Sequence, residues 1–382
     1  MIPDPPAPQR LHQLDGLRAV ATLLVLAHHS VSPGIQRSLE LGGWPVLGRL
    51  LFATTGSGVD LFFVLSGVVL LRPYLRGQRR FEAGTYFKRR AERILPPYLG
   101  AWLLAGAVTA FAGLRPTWFS EGLQRFSLGG WLAQAGILRF GPWLYNDAWW
   151  SLAVEALFYL VVPLVVLLWA ARAFSRAAGL AALAACAALS TAVQALSTVD
   201  RPPLAMLYSL GVYASCFCGG ILIARFELPR WLWAGLAAAG AGWVIASARL
   251  PVNGHVGFGL LYTGVVLRLV QGRYVRGALA SPLMVWLGER SYSLFLVHVS
   301  VFQLVNALAA HVWPGKTAAY FAATRLTGLP LALLAAMALF TAVERRFARG
   351  LVTGNQFWPP LRRARARADG TAAPLVRALP AR

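Results

Sequence analysis

Apolar residues fill long runs of this chain, and polar ones crowd into the short stretches between them. Runs of about 20 residues almost free of charge recur from end to end, the length an α-helix needs to cross about 30 Å of hydrocarbon. The pattern predicts ten spans, near residues 14–32, 51–71, 94–113, 150–170, 177–197, 205–224, 231–247, 255–272, 283–310 and 320–343. The runs do not alternate with period two, which excludes a β-barrel. The expected fold class is therefore all-α, a polytopic transmembrane helical bundle. Within the ninth run, the part around Leu283–Gly288 reads as a broken or interfacial helix. No repeat of fixed period and no inverted duplication is visible, which disfavours the common transporter architectures. The first run lacks a small-residue cleavage site and carries polar groups, so a cleaved signal peptide is not expected.

Composition agrees with this class. The chain has 382 residues, 57% hydrophobic and 13% charged, with a mean hydropathy of +0.57. Its net charge of +22 invites a nucleic-acid reading, but no fold or aromatic platform accompanies the charge. Placement explains it better. With the N-terminus inside and ten spans, about 27 of the 36 basic residues fall on the cytoplasmic side and 9 outside. The loop from Arg72 to Arg93 and the tail from Arg345 onward carry much of that excess. Both termini are therefore expected in the cytoplasm. Residues 1–349 form one transmembrane domain, followed by a basic, disordered tail over 350–382. Its Arg362, Arg363, Arg365 and Arg367 suit anionic lipid heads. Three cysteines support neither a disulfide framework nor a zinc site, and no metal is expected.

Polar groups inside the spans carry the candidate chemistry, because such groups are costly in hydrocarbon. On the first span Asp15, Arg18, Thr22 and His29 form one stripe, while His28 points about 80° away. Arg18 and His29 lie eleven residues apart, about three turns and roughly 16 Å along one face. Arg18 could equally snorkel to the interface, with the histidines at the far water boundary. Asp15 suits an N-cap and an i,i+3 partner for Arg18. Asp60 is the sole charge of the second span, either satisfied by a neighbouring hydroxyl or paired with an intramembrane His or Arg. Arg89, Arg90 and Arg93 precede the third span. The i,i+3 forks of Arg90 and Arg93 suit a polyphosphate, though a cytoplasmic basic run also sets topology. Ser151, Glu155 and Tyr159 share a face of the fourth span, with Glu155 expected at a depth similar to His29. Ser291, Phe295 and His298 share a face of the ninth, where His298 suits packing as well as function.

Five segments appear in order: Arg18-x10-His29, Gly58-Val-Asp-Leu-Phe-Phe-Val-Leu-Ser-Gly67, Arg90-x-x-Arg93-Ile-x-Pro, Ser151-Leu-x-x-Glu155-x-x-Phe-Tyr and Ser291-Tyr-x-x-Phe-Leu-x-His298. Together they resemble acyltransferase family 3 of integral membrane O-acyltransferases, from about residue 12 to 347. Phe295 stands where that family often has Tyr. No fused extracytoplasmic hydrolase-like domain is expected. The resemblance implies transfer of an acetyl or other short acyl group from acyl-CoA to a hydroxyl of a carbohydrate, glycolipid or secondary metabolite. It also implies a plasma (inner) membrane location in a bacterium. The expected catalytic residues are His29 as general base, Arg18, Glu155 and Asp60, with either carboxylate orienting His29. Arg89, Arg90 and Arg93 would hold acyl-CoA, and Asp15, Ser151, Tyr159 and His298 would face the substrates. Acyl-CoA is expected as donor substrate, with no permanently bound cofactor and no nucleic-acid partner. The acceptor would be chosen by the outer segment Arg115–Ala148. A transporter of a small polar metabolite, with the same charges lining its pathway, is the alternative.

Overall fold

The computed structural model describes residues 12–113, 128–137, 145–170, 175–195, 208–250, 252–271, 277–312 and 318–350. The expected tail and most of the outer segment Arg115–Ala148 lie outside the described residues. Among those described, every regular element is helical. The helices are α1 (His12–Ser30), α2 (Ser32–Leu41), α3 (Pro45–Gly56), α4 (Gly58–Leu75), α5 (Ala83–Gly113), α6 (Leu128–Ala133), α7 (Trp150–Ala170) and α8 (Arg176–Ala195). They continue with α9 (Ala214–Arg225), α10 (Leu232–Ser247), α11 (Gly254–Gln271), α12 (Pro282–Glu289), α13 (Ser291–Val312), α14 (Ala318–Leu339) and α15 (Arg345–Gly350). A 3-10 turn, Asp147–Trp149, precedes α7, and a π-helical turn, Phe340–Glu344, joins α14 to α15.

Each of the ten apolar runs is overlain by helix. Six stretches are long and apolar enough to cross a membrane: Pro45–Leu75, Ala83–Phe111, Asp147–Leu168, Arg176–Gln194, Ser291–Ala309 and Ala322–Phe347. Their outward faces stay apolar. Leu167 is 66% exposed and Leu326 76%, a cost in water but not against acyl chains. The bundle is an all-α polytopic membrane protein.

The expected break in the ninth run is present at Arg290. Ser281 caps α12, its Oγ accepting from Met284 N at 3.4 Å, and Pro282 sits at the first helical position. Arg290 closes the far end, donating to Trp286 O at 2.9 Å with its guanidinium over the Trp286 and Phe340 rings. The short helix carries Gly288 against α1, where a Cβ would lie 1.9 Å from the Asp15 carbonyl oxygen. In α4 the small residue Gly67 serves likewise, since a Cβ there would meet Phe217 O of α9 at 2.7 Å.

Side chains pack in two buried clusters. One joins α4, α7 and α9 through Leu61, Val64, Val68, Phe158 and Phe217. The other joins α5, α13 and α14 through Tyr98, Trp149, Leu296, Phe302 and Ala336. Helix α1 contributes to both, Leu17 and Ala21 to the first, Val25 and Leu26 to the second. The seam between the clusters is where the polar residues gather.

Gly288→Ala is expected to lower the thermal midpoint in detergent, since overpacking against backbone costs about 1–3 kcal/mol. Gly235→Ala in α10, with nothing within 4 Å of the added Cβ, serves as the control and should not destabilise. Equal midpoints for the two variants would mean the α1–α12 contact is not tight.

Candidate active site

A cavity of about 560 Å³ opens along that seam. Its walls come from α1, α4, α5, α7 and α13. Most of the lining is apolar, including Phe62, Phe63, Leu65, Val69, Ile94 and Leu152. Into it face three guanidinium-bearing residues, Arg18, Arg90 and Arg93. Arg90 and Arg93 reach it together because i,i+3 positions share a helix face. Arg89 turns away and is not part of the wall.

Among the described residues no carboxylate forms an ion pair with any of the three arginines. Arg90 Nε is buried without a partner. The nearest acidic groups act at longer range: Asp15, Glu155 and Glu344 attract the Arg18 charge, and Arg93 opposes it. Both distal carboxylates are already engaged. Glu155 Oε1 accepts from Ser66 Oγ at 2.9 Å and from Tyr159 Oη at 2.7 Å. Glu344 accepts from Ser293 Oγ. Ser151, Ser291 and Tyr292 complete the polar lining, with Tyr292 Oη donating to Ile94 O at 3.0 Å. The result is a partly apolar chamber with an excess of positive charge, shaped for an anion with an uncharged arm.

The histidines lie beyond this chamber. Phe295 and Phe62 form its end, with ring centroids 6.4 Å apart. The Phe295 ring is 5.8 Å from that of His298, and His298 is 5.2 Å from His29. Helix α1 presents His29 here with its C-terminal end pinned: Arg325 Nε donates to Ser30 O at 2.6 Å, satisfying a terminal carbonyl of α1. Asn146 accepts from Ala148 N and donates to Leu296 O at 3.2 Å, and Trp149 Nε1 donates to the same carbonyl at 3.1 Å. That clasp holds Asp147 where its charge reaches His29. His28 points elsewhere, as its helical offset requires, with its ring against Phe52 at 4.4 Å and Nδ1 3.4 Å from Thr55 Oγ1.

The structure thus brings Arg18, Arg90, Arg93, Ser151, Glu155 and Tyr159 to one chamber, and His29 and His298 to a second group beside it. Asp15 touches neither chamber wall but lies within the field of Arg18. The two carboxylates expected to orient His29 are engaged elsewhere. Glu155 lies with the arginines, one turn from the tyrosine that holds it. Asp60 faces the opposite side of α4, where His255 Nδ1 is 2.9 Å from Oδ1 and Tyr213 Oη is 3.2 Å from His255 Nε2. This answers the alternatives for Asp60: it is paired with a histidine, but one on α11. His255, Glu344 and Arg325 were not singled out from the sequence, and Asp147 was read only as one of the charged residues of the segment Arg115–Ala148. Glu344 had a signal only in retrospect, as a lone acid at the end of an apolar run. Among the described residues no three His, Cys, Asp or Glu side chains come together to hold a metal.

Comparison with known proteins agrees with this arrangement. A family model described as "Acyltransferase domain" matches residues 11–345. "Acyltransferase MdmB" of Streptomyces mycarofaciens is 29% identical over 374 residues, covering 89% of this chain and 92% of the relative. "Nodulation protein 10" of Rhizobium leguminosarum bv. viciae is 25% identical, covering 79% and 86%. "O-acetyltransferase OatA" of Staphylococcus aureus is 27% identical over 173 residues, 42% of this chain and 25% of that protein. No solved structure matches. A family model spanning nearly every described helix, in a bundle whose arginine-lined chamber lies beside a histidine pair, leaves one conclusion: the chain belongs to acyltransferase family 3 and is an acyltransferase.

Proposed function

We propose that the protein moves a short acyl group, acetyl being the simplest, from acyl-CoA to a hydroxyl of a carbohydrate, glycolipid or secondary metabolite. The observation that carries this reading is the charge imbalance of the chamber: three guanidiniums face a largely apolar space, and among the described residues no carboxylate forms an ion pair with them. CoA has the matching form, with phosphates at one end and a long uncharged pantetheine arm ending in the thioester. The phosphates rest on Arg90 and Arg93, and the arm runs past Arg18 toward Phe295. The names of the relatives support acyl transfer to an oxygen, since one is an O-acetyltransferase and another an acyltransferase.

His29 acts as general base. The acceptor hydroxyl gives its proton to His29 as its oxygen bonds to the thioester carbonyl carbon. The carbon–sulfur bond then breaks, and the CoA thiolate takes the proton from His29. The ester and CoA thiol leave, and the histidine is neutral again. Glu155, held by Ser66 and Tyr159, balances the arginines rather than the histidine. The reading includes a plasma membrane with ten spans and both termini in the cytoplasm, which puts Arg90 inside and His29 toward the outside. Helix over all ten runs and the basic excess on one side support it.

Three outcomes test the proposal. A cysteine in place of Arg125 should react with a membrane-impermeant maleimide added to intact cells, and one in place of Arg363 should not; labelling of the second inverts the topology. Arg90→Ala and Arg93→Ala should each raise the KM for acetyl-CoA, by about 10- to 100-fold, because a charge-assisted phosphate contact contributes about 1.5–3 kcal/mol. An unchanged KM in both would leave these arginines as topology signals. His29→Ala should lower thioester consumption by about 100-fold or more, with normal expression, while His28→Ala is much milder. Near-normal turnover by His29→Ala would remove the base assignment.

A further inference from the structure

His298 is fully buried, and only one of its ring nitrogens is accounted for. Nδ1 lies 2.7 Å from Phe295 O and 3.2 Å from Leu294 O, both on the preceding turn of its own helix. A carbonyl oxygen can only accept, so Nδ1 carries the proton. A neutral imidazole has a single N–H. Nε2 is therefore a bare lone pair, and it is buried with no partner. Buried polar atoms are nearly always paired, so an orphan of this kind calls for a donor. Phe295 and Phe302, which flank the ring at 5.8 and 6.1 Å, cannot supply one. His29 can, with its ring 5.2 Å away and tilted by 58°. Two imidazoles joined end to end by an N–H···N bond have centroids about 5 Å apart, from a contact near 2.9 Å and about 1.1 Å from each nitrogen to its ring centre. The 5.2 Å between the ring centroids is the spacing such a bond requires.

We infer that His298 Nε2 accepts an N–H from His29 and so fixes its tautomer, leaving the other His29 nitrogen bare for the acceptor hydroxyl. This rests on the acyl-transfer reading with His29 as base. The device does the work that a carboxylate does for the histidine of a hydrolase triad, holding the base in one tautomer and orientation. It differs in charge. An imidazole locked by two carbonyls adds no charge to the outer half of a membrane helix. No proton passes to His298. When His29 holds the hydroxyl proton, its bond to Nε2 becomes charge-assisted, and the nearby charge of Asp147 favours the new cation. His298 touches neither donor nor acceptor and is a positioning residue. The chain of carbonyl, His298 and His29 explains why α13 carries a histidine at a site otherwise filled by apolar side chains.

The test uses full-length protein in detergent with acetyl-CoA, following release of free CoA thiol. His298→Phe keeps the ring and removes Nε2. It should lower kcat by about 30-fold or more while leaving the KM for acetyl-CoA within about threefold. His298→Gln can bring an amide oxygen to the place of Nε2 and should recover at least about fivefold of that loss. The double variant His29→Ala/His298→Phe should be no slower than His29→Ala alone, because residues acting as one unit are not additive. A wild-type kcat in His298→Phe, a Gln variant as slow as the Phe variant, or a double variant slower by the product of the two factors would each overturn the inference. Should His298→Phe lose its thermal midpoint, His298→Gln decides: a three- to tenfold lower kcat with unchanged KM supports the role, and an unchanged kcat overturns it. Failure of the unaltered protein to release any thiol would instead overturn the acyl-transfer reading on which the inference stands.

Discussion

A charged or hydrogen-bonding group placed in hydrocarbon must be answered by other protein atoms or by a ligand. That constraint organises this bundle. Where the chain supplies the answer, helices are fastened: Asp60 to His255 joins α4 to α11, Ser66 to Glu155 joins α4 to α7, Ser293 to Glu344 joins α13 to the π-helical turn, and Arg325 to Ser30 ties α14 to α1. Some buried polar atoms are left unanswered among the described residues; Arg90 Nε and Ser291 Oγ belong to residues that line the chamber and His298 Nε2 lies beside it, while others, such as Gln194 Oε1, lie elsewhere in the bundle. Residue type alone does not say which groups fasten helices and which line the chamber. Asp60 and Glu155 are both lone acids of apolar spans, yet one fastens helices away from the chamber and the other sits in its wall.

Hydrophobic run length made the helices legible, since crossing a bilayer sets a minimum that local composition must meet. The break before Ser291 was readable too, because Ser281-Pro282 and Gly288 punctuate an otherwise continuous apolar run. Periodicity within one helix also placed residues on common faces correctly: Arg90 with Arg93, Glu155 with Tyr159, and His28 apart from His29. What periodicity cannot give is the rotation of one helix against the next. Asp60, expected to orient His29, is instead paired with His255, and Glu155 is held by Ser66 of α4 as well as by Tyr159 of its own helix. His255 escaped notice because it sits in the first turn of α11, where a polar residue reads as a boundary. Glu344 lies in a π-helical turn, whose extra residue shifts side chains off the spacing that a 3.6-residue period assumes.

Local and distant features converge on His29. It owes its place to Gly288, which lets α1 approach the short α12, and to Arg325, which holds the last turn. It owes its neighbours to the Asn146–Trp149 clasp, which fastens the segment before α7 to the middle of α13 at Leu296. Three elements far apart in sequence thus bear on one imidazole. Substitutions at any of them should be read as changes in its orientation before they are read as losses of contact area.

The rings of Phe62 and Phe295 have a further consequence for the cell. A row of arginines leading to a row of histidines, wetted from end to end, would conduct protons and small anions across the membrane and dissipate the potential on which the cell runs. Phe295 interrupts that row with an apolar ring, lining the chamber with Phe62 on one side and lying 5.8 Å from the His298 ring on the other. An uncharged acyl group can pass such a ring at little electrostatic cost, whereas an ion must shed its hydration to do so. Phe295, where the resembled family often has tyrosine, brings no hydroxyl to that wall, so this stretch of lining favours an uncharged group over a hydrated ion.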